Sequence, residues 1–196
     1  MFPPVTRLLL IANIAVYLLQ SVLGDLLIVW FALWPFNTPP TYGAGFLPWQ
    51  VLTYGFLHGS LVHLGFNMLA LYMFGGQIEQ VFGSRRFLIY FLGCVFSAAL
   101  AQLAMSALSG GPAFPTVGAS GGVFGLLLAY GLFFPRRIVM LIFPPIPMPA
   151  WLFVTLYGLL ELYLGVTGTA AGIAHFAHLG GMLGGWILIR QWRRKY

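Results

Sequence analysis

Hydrophobic positions run through this chain in long blocks that charged residues merely punctuate. The charge-free stretches cover residues 8–24, 26–78, 87–135, 138–160 and 162–189. A helix needs about 17 to 25 apolar residues to cross a bilayer, so each stretch holds at least one crossing. The turn-forming cluster Ser109-Gly110-Gly111-Pro112-Ala113-Phe114-Pro115 divides 87–135 into two helices. Crossings are therefore expected near 6–24, 58–77, 87–107, 119–134, 150–164 and 174–190, an all-α membrane protein built as a six-transmembrane-helix bundle. The stretch from Leu26 to Pro48 is apolar but broken by Pro35, Pro39, Pro40, Gly43, Gly45 and Pro48. Irregular backbone is not tolerated facing lipid at depth, whereas Trp favours the headgroup zone. This loop between the first two helices, with Trp30, Trp34 and the adjoining Trp49, is expected to lie half-immersed along one surface.

Charge placement adds direction. With six crossings Arg7, Arg85, Arg86, Arg136, Arg137, Arg190, Arg193, Arg194 and Lys195 all fall on one side, which the positive-inside rule makes cytoplasmic. Both termini are then cytoplasmic, Glu79 lies towards that face, and Asp25 and Glu161 lie towards the opposite one. The first apolar segment lacks a small-residue cleavage site before Asp25 and reads as a retained helix rather than a signal peptide. Residues 1–196 are expected to form a single integral membrane domain with no appended soluble domain.

Composition excludes the main alternatives. Only 6% of residues are charged and 60% are hydrophobic, against about 25% charged in an ordinary soluble domain. A water-soluble fold and a disordered chain are both ruled out. Cys94 is the one cysteine, so no disulfide forms within the chain. A net charge of +6 would suggest nucleic acid in a soluble protein, but here the basic residues are topology signals. Lipid is the expected partner and nucleic acid is not.

Against this background strongly polar residues inside spanning helices stand out, since each is costly unless paired or facing a wet cavity. They are His58, His63 and Asn67 on the second helix, Ser120 at the start of the fourth, His175 and His178 on the sixth, and Glu79 at the cytoplasmic end of the second. At about 1.5 Å per residue, Ser120 lies about 24 Å from Arg136 and His178 about 18 Å from Arg190. Both belong to the outer half of a hydrocarbon core about 30 Å thick. His63 and Asn67 are four apart and share a helix face, so they can send two donors to one point as an oxyanion hole requires; interhelical hydrogen bonding would explain the pair equally.

Ser120 sits in Gly118-Ala119-Ser120-Gly121-Gly122-Val123-Phe124-Gly125, at a helix N-terminus where free N–H groups favour an anion. A plain N-cap with packing glycines is the structural alternative. Gly181 and Gly185 follow His178 at i+3 and i+7 and leave its face nearly free of side chains. Gly121, Gly122 and Gly125 do the same on the fourth helix. Two such faces packed closely would bring the hydroxyl within hydrogen-bond reach of the imidazole.

Taken jointly these motifs resemble the rhomboid family of intramembrane serine proteases. The resemblance rests on Gly118-Ala119-Ser120-Gly121, on Ala177-His178-Leu179-Gly180-Gly181, and on His58 through Asn67. Pro48-Trp49-Gln50 and Gly75-Gly76-Gln77-Ile78-Glu79 with Gly83 extend it. It implies a serine endopeptidase that cleaves transmembrane segments near their outer ends through an acyl-enzyme. Ser120 is then the nucleophile and His178 the base, while His63, Asn67 and the Ser120 N–H stabilise the oxyanion, supported by Gly118, Gly121 and Phe124. Phe124 stands where relatives often carry a Tyr stacked on the catalytic imidazole, and Gln50 where some carry an Arg. His175 is left outside the pair. With Asp25, Glu79 and Glu161 the only acidic residues, a Ser-His dyad is expected rather than a triad. The segment Gly165 to Gly172 suits a lid. No cofactor and no metal are implied, the substrates are transmembrane proteins, and the location is a bacterial inner membrane with the site opening to the outer face. Two other readings stay open: a catalytically silent rhomboid-like binding protein, and a metalloenzyme using His58, His63, His175 and His178.

Overall fold

The structure is a computed structural model that describes residues 3–39, 43–109, 114–141, 144–168 and 174–193. Residues Gly110 to Ala113 of the turn cluster, residues 40–42 of the first loop, Thr169 to Gly172 of the expected lid with Ile173 after it, and Arg194 and Lys195 lie outside the described residues.

Helix α1 (Pro4–Leu23) opens on Pro4, whose fixed φ suits a first turn, and stops at Gly24 with φ +56°. The next seven residues form helix α2 (Asp25–Phe31). The expectation of an irregular stretch from Leu26 is corrected here, because the helix-breaking prolines begin only at Pro35. The rest of the loop has a small core of its own, Leu27, Ala32, Trp34 and Leu57. Gln50, fully buried at the start of α3 (Gln50–Thr53), holds it. Its Oε1 accepts from the N–H groups of Trp34 and Leu47, each at 3.2 Å, and its Nε2 donates to the Gly45 carbonyl at 3.0 Å. A neutral side chain thus gathers the loop.

The second long span runs Leu61–Phe82, not 58–77. It begins late because Ser60 is the N-cap of α4 (Leu61–Ala70), its Oγ accepting the His63 N–H at 3.1 Å. A π-helical turn at Leu71–Gly75 joins α4 to α5 (Gly76–Phe82). After Gly83 come α6 (Ser84–Ser109) and then α7 (Ser120–Phe133). Strands β1 (Ile138–Met140) and β2 (Pro147–Pro149) pair antiparallel, with Val139 opposite Met148. This short hairpin is an addition that the helical reading did not include, in a chain that is mostly helix. α8 (Ala150–Thr167) and α9 (His175–Arg193) complete the chain's elements. α8 runs on through Gly165, Val166 and Thr167 and closes at Gly168 with φ +65°, so the first part of the expected lid is helix.

Among the described residues four spans are long and apolar enough to cross a membrane: Pro4–Leu23, Leu61–Phe82, Ser84–Leu108 and Ala150–Thr167. α7, with 14 residues, is about 21 Å long and shorter than a bilayer core of about 30 Å. α9 packs against both α6 and α7. At one end of the bundle aromatic rings from four helices meet, Phe82 lying edge-on to Tyr90, Phe133 and Trp192. Guanidinium groups cover this end, Arg86 over Trp192 and Arg193 over Phe133. The short helix α7 therefore starts, at Ser120, at the end remote from this arginine-aromatic cluster.

Three polar side chains lie at seven-residue spacing on α1, and the outer two, Thr6 and Gln20, fasten it to the bundle. Asn13, between the other two, is fully buried and donates to its own helix at the Leu9 carbonyl. Gln20 makes a paired contact with the His58 backbone, accepting at 3.1 Å and donating at 2.8 Å. At Thr6 the partner is Glu79, whose carboxylate accepts the N–H groups of Val5 at 3.0 Å and Thr6 at 2.7 Å, the Thr6 hydroxyl at 2.8 Å, and the Ser84 hydroxyl at 2.6 Å. Glu79 is thus an end cap for α1 supplied from α5, a fastening rather than a chemical group. Glu79→Ala strands these donors, each worth about 1 to 3 kcal/mol when left unsatisfied. Thermal unfolding in detergent micelles should show a clearly lowered midpoint for Glu79→Ala and a smaller drop for Glu79→Gln; an unchanged midpoint in both would remove the cap from the structure's supports.

Candidate active site

The approach to Ser120 is fixed by the first loop. Leu33 and Thr116 exchange backbone hydrogen bonds at 3.0 and 2.9 Å, and the Gly118 N–H donates to the Tyr54 carbonyl at 3.0 Å. Tyr54 is anchored in turn by its hydroxyl, which donates to the Val95 carbonyl at 2.8 Å. Gly118 has φ +126°, and a Cβ there would lie 2.7 Å from His63 Nε2. Only glycine satisfies both the backbone and the space. The same point is 3.7 Å from Ser120 Oγ, so the His63 ring stands beside the serine.

Ser120 is the first residue of α7, and the next turns carry no side chain where α9 arrives. A Cβ on Gly181 would overlap the Gly121 carbonyl oxygen, and one on Gly125 would crowd the Gly181 carbonyl oxygen at 3.3 Å. The two helices therefore meet backbone to backbone, an approach open to small residues alone. This contact sets His178 on the first turns of α9 with Nε2 at 2.9 Å from Ser120 Oγ. Phe124, one turn after Ser120, stacks on the imidazole at 4.2 Å between centroids and 6° between planes. The ring fixes the plane of the base and leaves the in-plane nitrogens to other partners.

One of those partners was not foreseen. Glu161 on α8 places Oε2 at 2.9 Å from His178 Nδ1 and at 2.6 Å from His175 Nδ1. Both histidines and the carboxylate are buried. The expectation that no carboxylate accompanies the Ser-His pair thus meets a glutamate at its base. The signal in the sequence was faint but present: Phe153, Tyr157 and Glu161 lie at four-residue spacing and share a face of α8. Phe153 stacks on Tyr157, and Tyr157 lies 5.6 Å from Phe124, which turns this face towards the site. His175, left out of the pair, sits one turn before His178 on the same face.

The remaining candidates are arranged around this line. Asn67 is buried and its amide donates to the His63 carbonyl at 3.2 Å, which leaves a second N–H of the same amide. His58 is fully buried and lies edge-on to His63 at 5.1 Å, away from the His175 and His178 pair. The four histidines thus form two pairs, and among the described residues the one group of three with metal-ligating atoms close together is Glu161, His175 and His178.

Residues 46–194 match the Rhomboid domain. The chain is 32% identical over 148 residues to Rhomboid protein 1, mitochondrial, of Saccharomyces cerevisiae, across 69% of this chain and 39% of that protein. It is 30% identical over 139 residues to Rhomboid protease GluP of Bacillus subtilis, across 70% of this chain and 24% of the relative. With Rhomboid protease GlpG of Salmonella choleraesuis the identity is 34% over 128 residues, across 65% of this chain and 42% of the relative. Each match therefore spans less than half of the curated relative's length. The chain belongs to the rhomboid family and is an integral membrane protein.

The glycine contact can be tested without reference to activity. Gly181→Val overpacks the α7–α9 seam, an insult worth about 1 to 3 kcal/mol or more, whereas Gly65→Ala adds a methyl into open space on α4. Thermal melts in micelles should show a fall for the first and no loss for the second. Equal behaviour of the two variants would mean that the seam does not depend on the missing side chain.

Proposed function

We propose that this protein is an intramembrane serine endopeptidase that hydrolyses transmembrane segments of other membrane proteins. The observation that carries the reading is the 2.9 Å contact between Ser120 Oγ and His178 Nε2 on two helices packed through glycine. An acyl-transfer enzyme needs a nucleophile, a base and donors for the developing oxyanion. Ser120 attacks the scissile carbonyl while His178 accepts its proton and then delivers it to the leaving amine. The Ser120 N–H at the start of α7, His63 beside Gly118 and the second N–H of Asn67 receive the negative charge, each such donor being worth about 3 to 4 kcal/mol. Gly118 and Gly121 keep these groups close, and Phe124 holds the plane of the base. The resulting acyl-enzyme is opened by water activated by the same histidine.

Membrane placement follows. Six crossings put both termini in the cytoplasm, and the arginine cluster supports a single cytoplasmic face. The site then lies at the other end, recessed because α7 is too short to span, and the loop clipped to Thr116 by Leu33 lies half-immersed above it. The two relatives named as rhomboid proteases are from bacteria, which supports a bacterial inner membrane, while the yeast relative is named as mitochondrial. The silent-protein reading gains nothing from a site whose nucleophile and base are both retained in contact. A metal reading gains little either: ligands on one tetrahedral zinc stand about 3.3 Å apart, whereas Glu161 Oε2 lies at hydrogen-bond distance from both His175 and His178.

The test is covalent labelling of the purified protein by a fluorescent fluorophosphonate in micelles. Wild type should label, and Ser120→Ala and His178→Ala should not, with thermal midpoints showing both variants folded. Absence of labelling in folded wild type, under conditions where an active relative labels, would overturn the proposal.

A further inference from the structure

The protease reading takes a serine and a histidine from the family resemblance and gives no work to the glutamate and second histidine beside them. We propose that Glu161 is a positioning residue that holds His178 in its working tautomer and that His175 holds Glu161, so that the site runs Ser120–His178–Glu161–His175 rather than ending at the base. The proposal rests on the protease reading for its chemical meaning, but its central statement concerns one proton on one ring.

To take the Ser120 proton, neutral His178 must present a lone pair at Nε2 and therefore carry its own proton at Nδ1. An ionised carboxylate can only accept. With Glu161 Oε2 at 2.9 Å from Nδ1, the tautomer with the proton on Nε2 would set a lone pair against a carboxylate and lose the bond altogether. The distance thus selects the tautomer that catalysis needs. Phe124 stacks parallel to the ring and fixes its plane but does not distinguish its two nitrogens. Glu161 is the contact that does.

His175 completes the arrangement. Its Nδ1 lies 2.6 Å from the same oxygen, and its Nε2 is buried without a partner among the described residues. The carboxylate is therefore held by two N–H donors from one helix, which fixes Oε2 against α9 while the rest of Glu161 belongs to α8. Glu161 is 6% exposed, so neither bond competes much with water.

In the chemical step Oγ forms a bond to the scissile carbonyl carbon, the carbonyl π pair moves onto oxygen, and the Ser120 proton passes to His178 Nε2. The imidazolium so formed keeps its Nδ1 proton on Glu161, which remains ionised and offsets the new positive charge. Collapse of the tetrahedral species breaks the C–N bond and sends the Nε2 proton to the leaving amine, restoring the neutral ring with Nδ1 still protonated. Glu161 never gains a proton in this acylation half, and the acyl group left on Ser120 is then released by one water that the same histidine activates.

Two measurements test this. The first reads the tautomer directly in wild-type protein in micelles, by 15N NMR of labelled histidine, with the His178 signals assigned by their loss in His178→Ala. Protonated Nδ1 and unprotonated Nε2 are expected; the opposite tautomer would overturn the proposal whatever the variants do. The second follows fluorophosphonate labelling as maximal rate and half-saturating concentration. Glu161→Gln keeps volume but replaces an obligate acceptor with an amide, and should cut the maximal rate by about 10²-fold or more with half-saturation and thermal midpoint little changed. Glu161→Asp retains the charge with shorter reach and should recover part of the lost rate. His175→Phe, which removes one of the two clamps, should cost about 10-fold. Labelling of folded Glu161→Gln within threefold of wild type would sink the assignment. Failure of wild type to label at all would strike the protease reading instead, and the NMR result would still stand on its own.

Discussion

Everything at the site depends on two helices touching through their backbones. At Gly181 there is no room for even one carbon between α9 and the backbone of α7 at Gly121. Apolar side chains provide no drive to bring helices together in lipid, because the lipid is as apolar as they are. What remains is close van der Waals contact, and that is available only where side chains are absent. Neighbouring residues of α6 fill the seam, Cys94 against Gly125, Ala98 against Gly121, and Ser97 against Gly184. The hydrogen bond between serine and histidine is a by-product of this geometry: a wider seam would leave the same two residues out of reach.

The other polar side chains show a division of labour. Most bond to backbone: Gln20 to His58, Gln50 to the loop, Tyr54 to the Val95 carbonyl, Tyr90 to the Gly125 carbonyl. These are ties that quiet unsatisfied groups in a medium without water. Side chain to side chain bonding is concentrated in two buried places, the Glu79 cap with Thr6 and Ser84, and the line from Ser120 through His178 and Glu161 to His175. Only the second brings titratable groups onto one another. That difference separates a site from a scaffold better than burial does, since both are buried.

The four spans long and apolar enough to cross a membrane among the described residues were legible because apolar blocks and the charges that bound them are properties of single segments. Ser120, His178 and the glycine faces were legible for the same reason, each face being readable on its own helix. Glu161 escaped because its meaning lies in a distance between α8 and α9, and nothing local fixes how one helix rotates against the next. The face formed with Phe153 and Tyr157 hinted at the rotation, yet it became informative only once Phe124 was known to lie beside Tyr157. The hairpin at Ile138 was invisible because its three-residue strands pair through backbone, two of the partners being prolines. α2 was missed by grouping seven unbroken residues with the prolines that follow them.

The Glu79 cap also bears on the order in which the chain can be built. The first turn of α1 presents N–H groups to a carboxylate 73 and 74 residues further along. During synthesis that helix enters the membrane well before its acceptor exists. Until α5 arrives those groups must stay near water or lipid headgroups, so α1 is held at shallow depth at that end and settles late. Assembly of this bundle therefore closes backwards, with a segment inserted later locking one inserted before it.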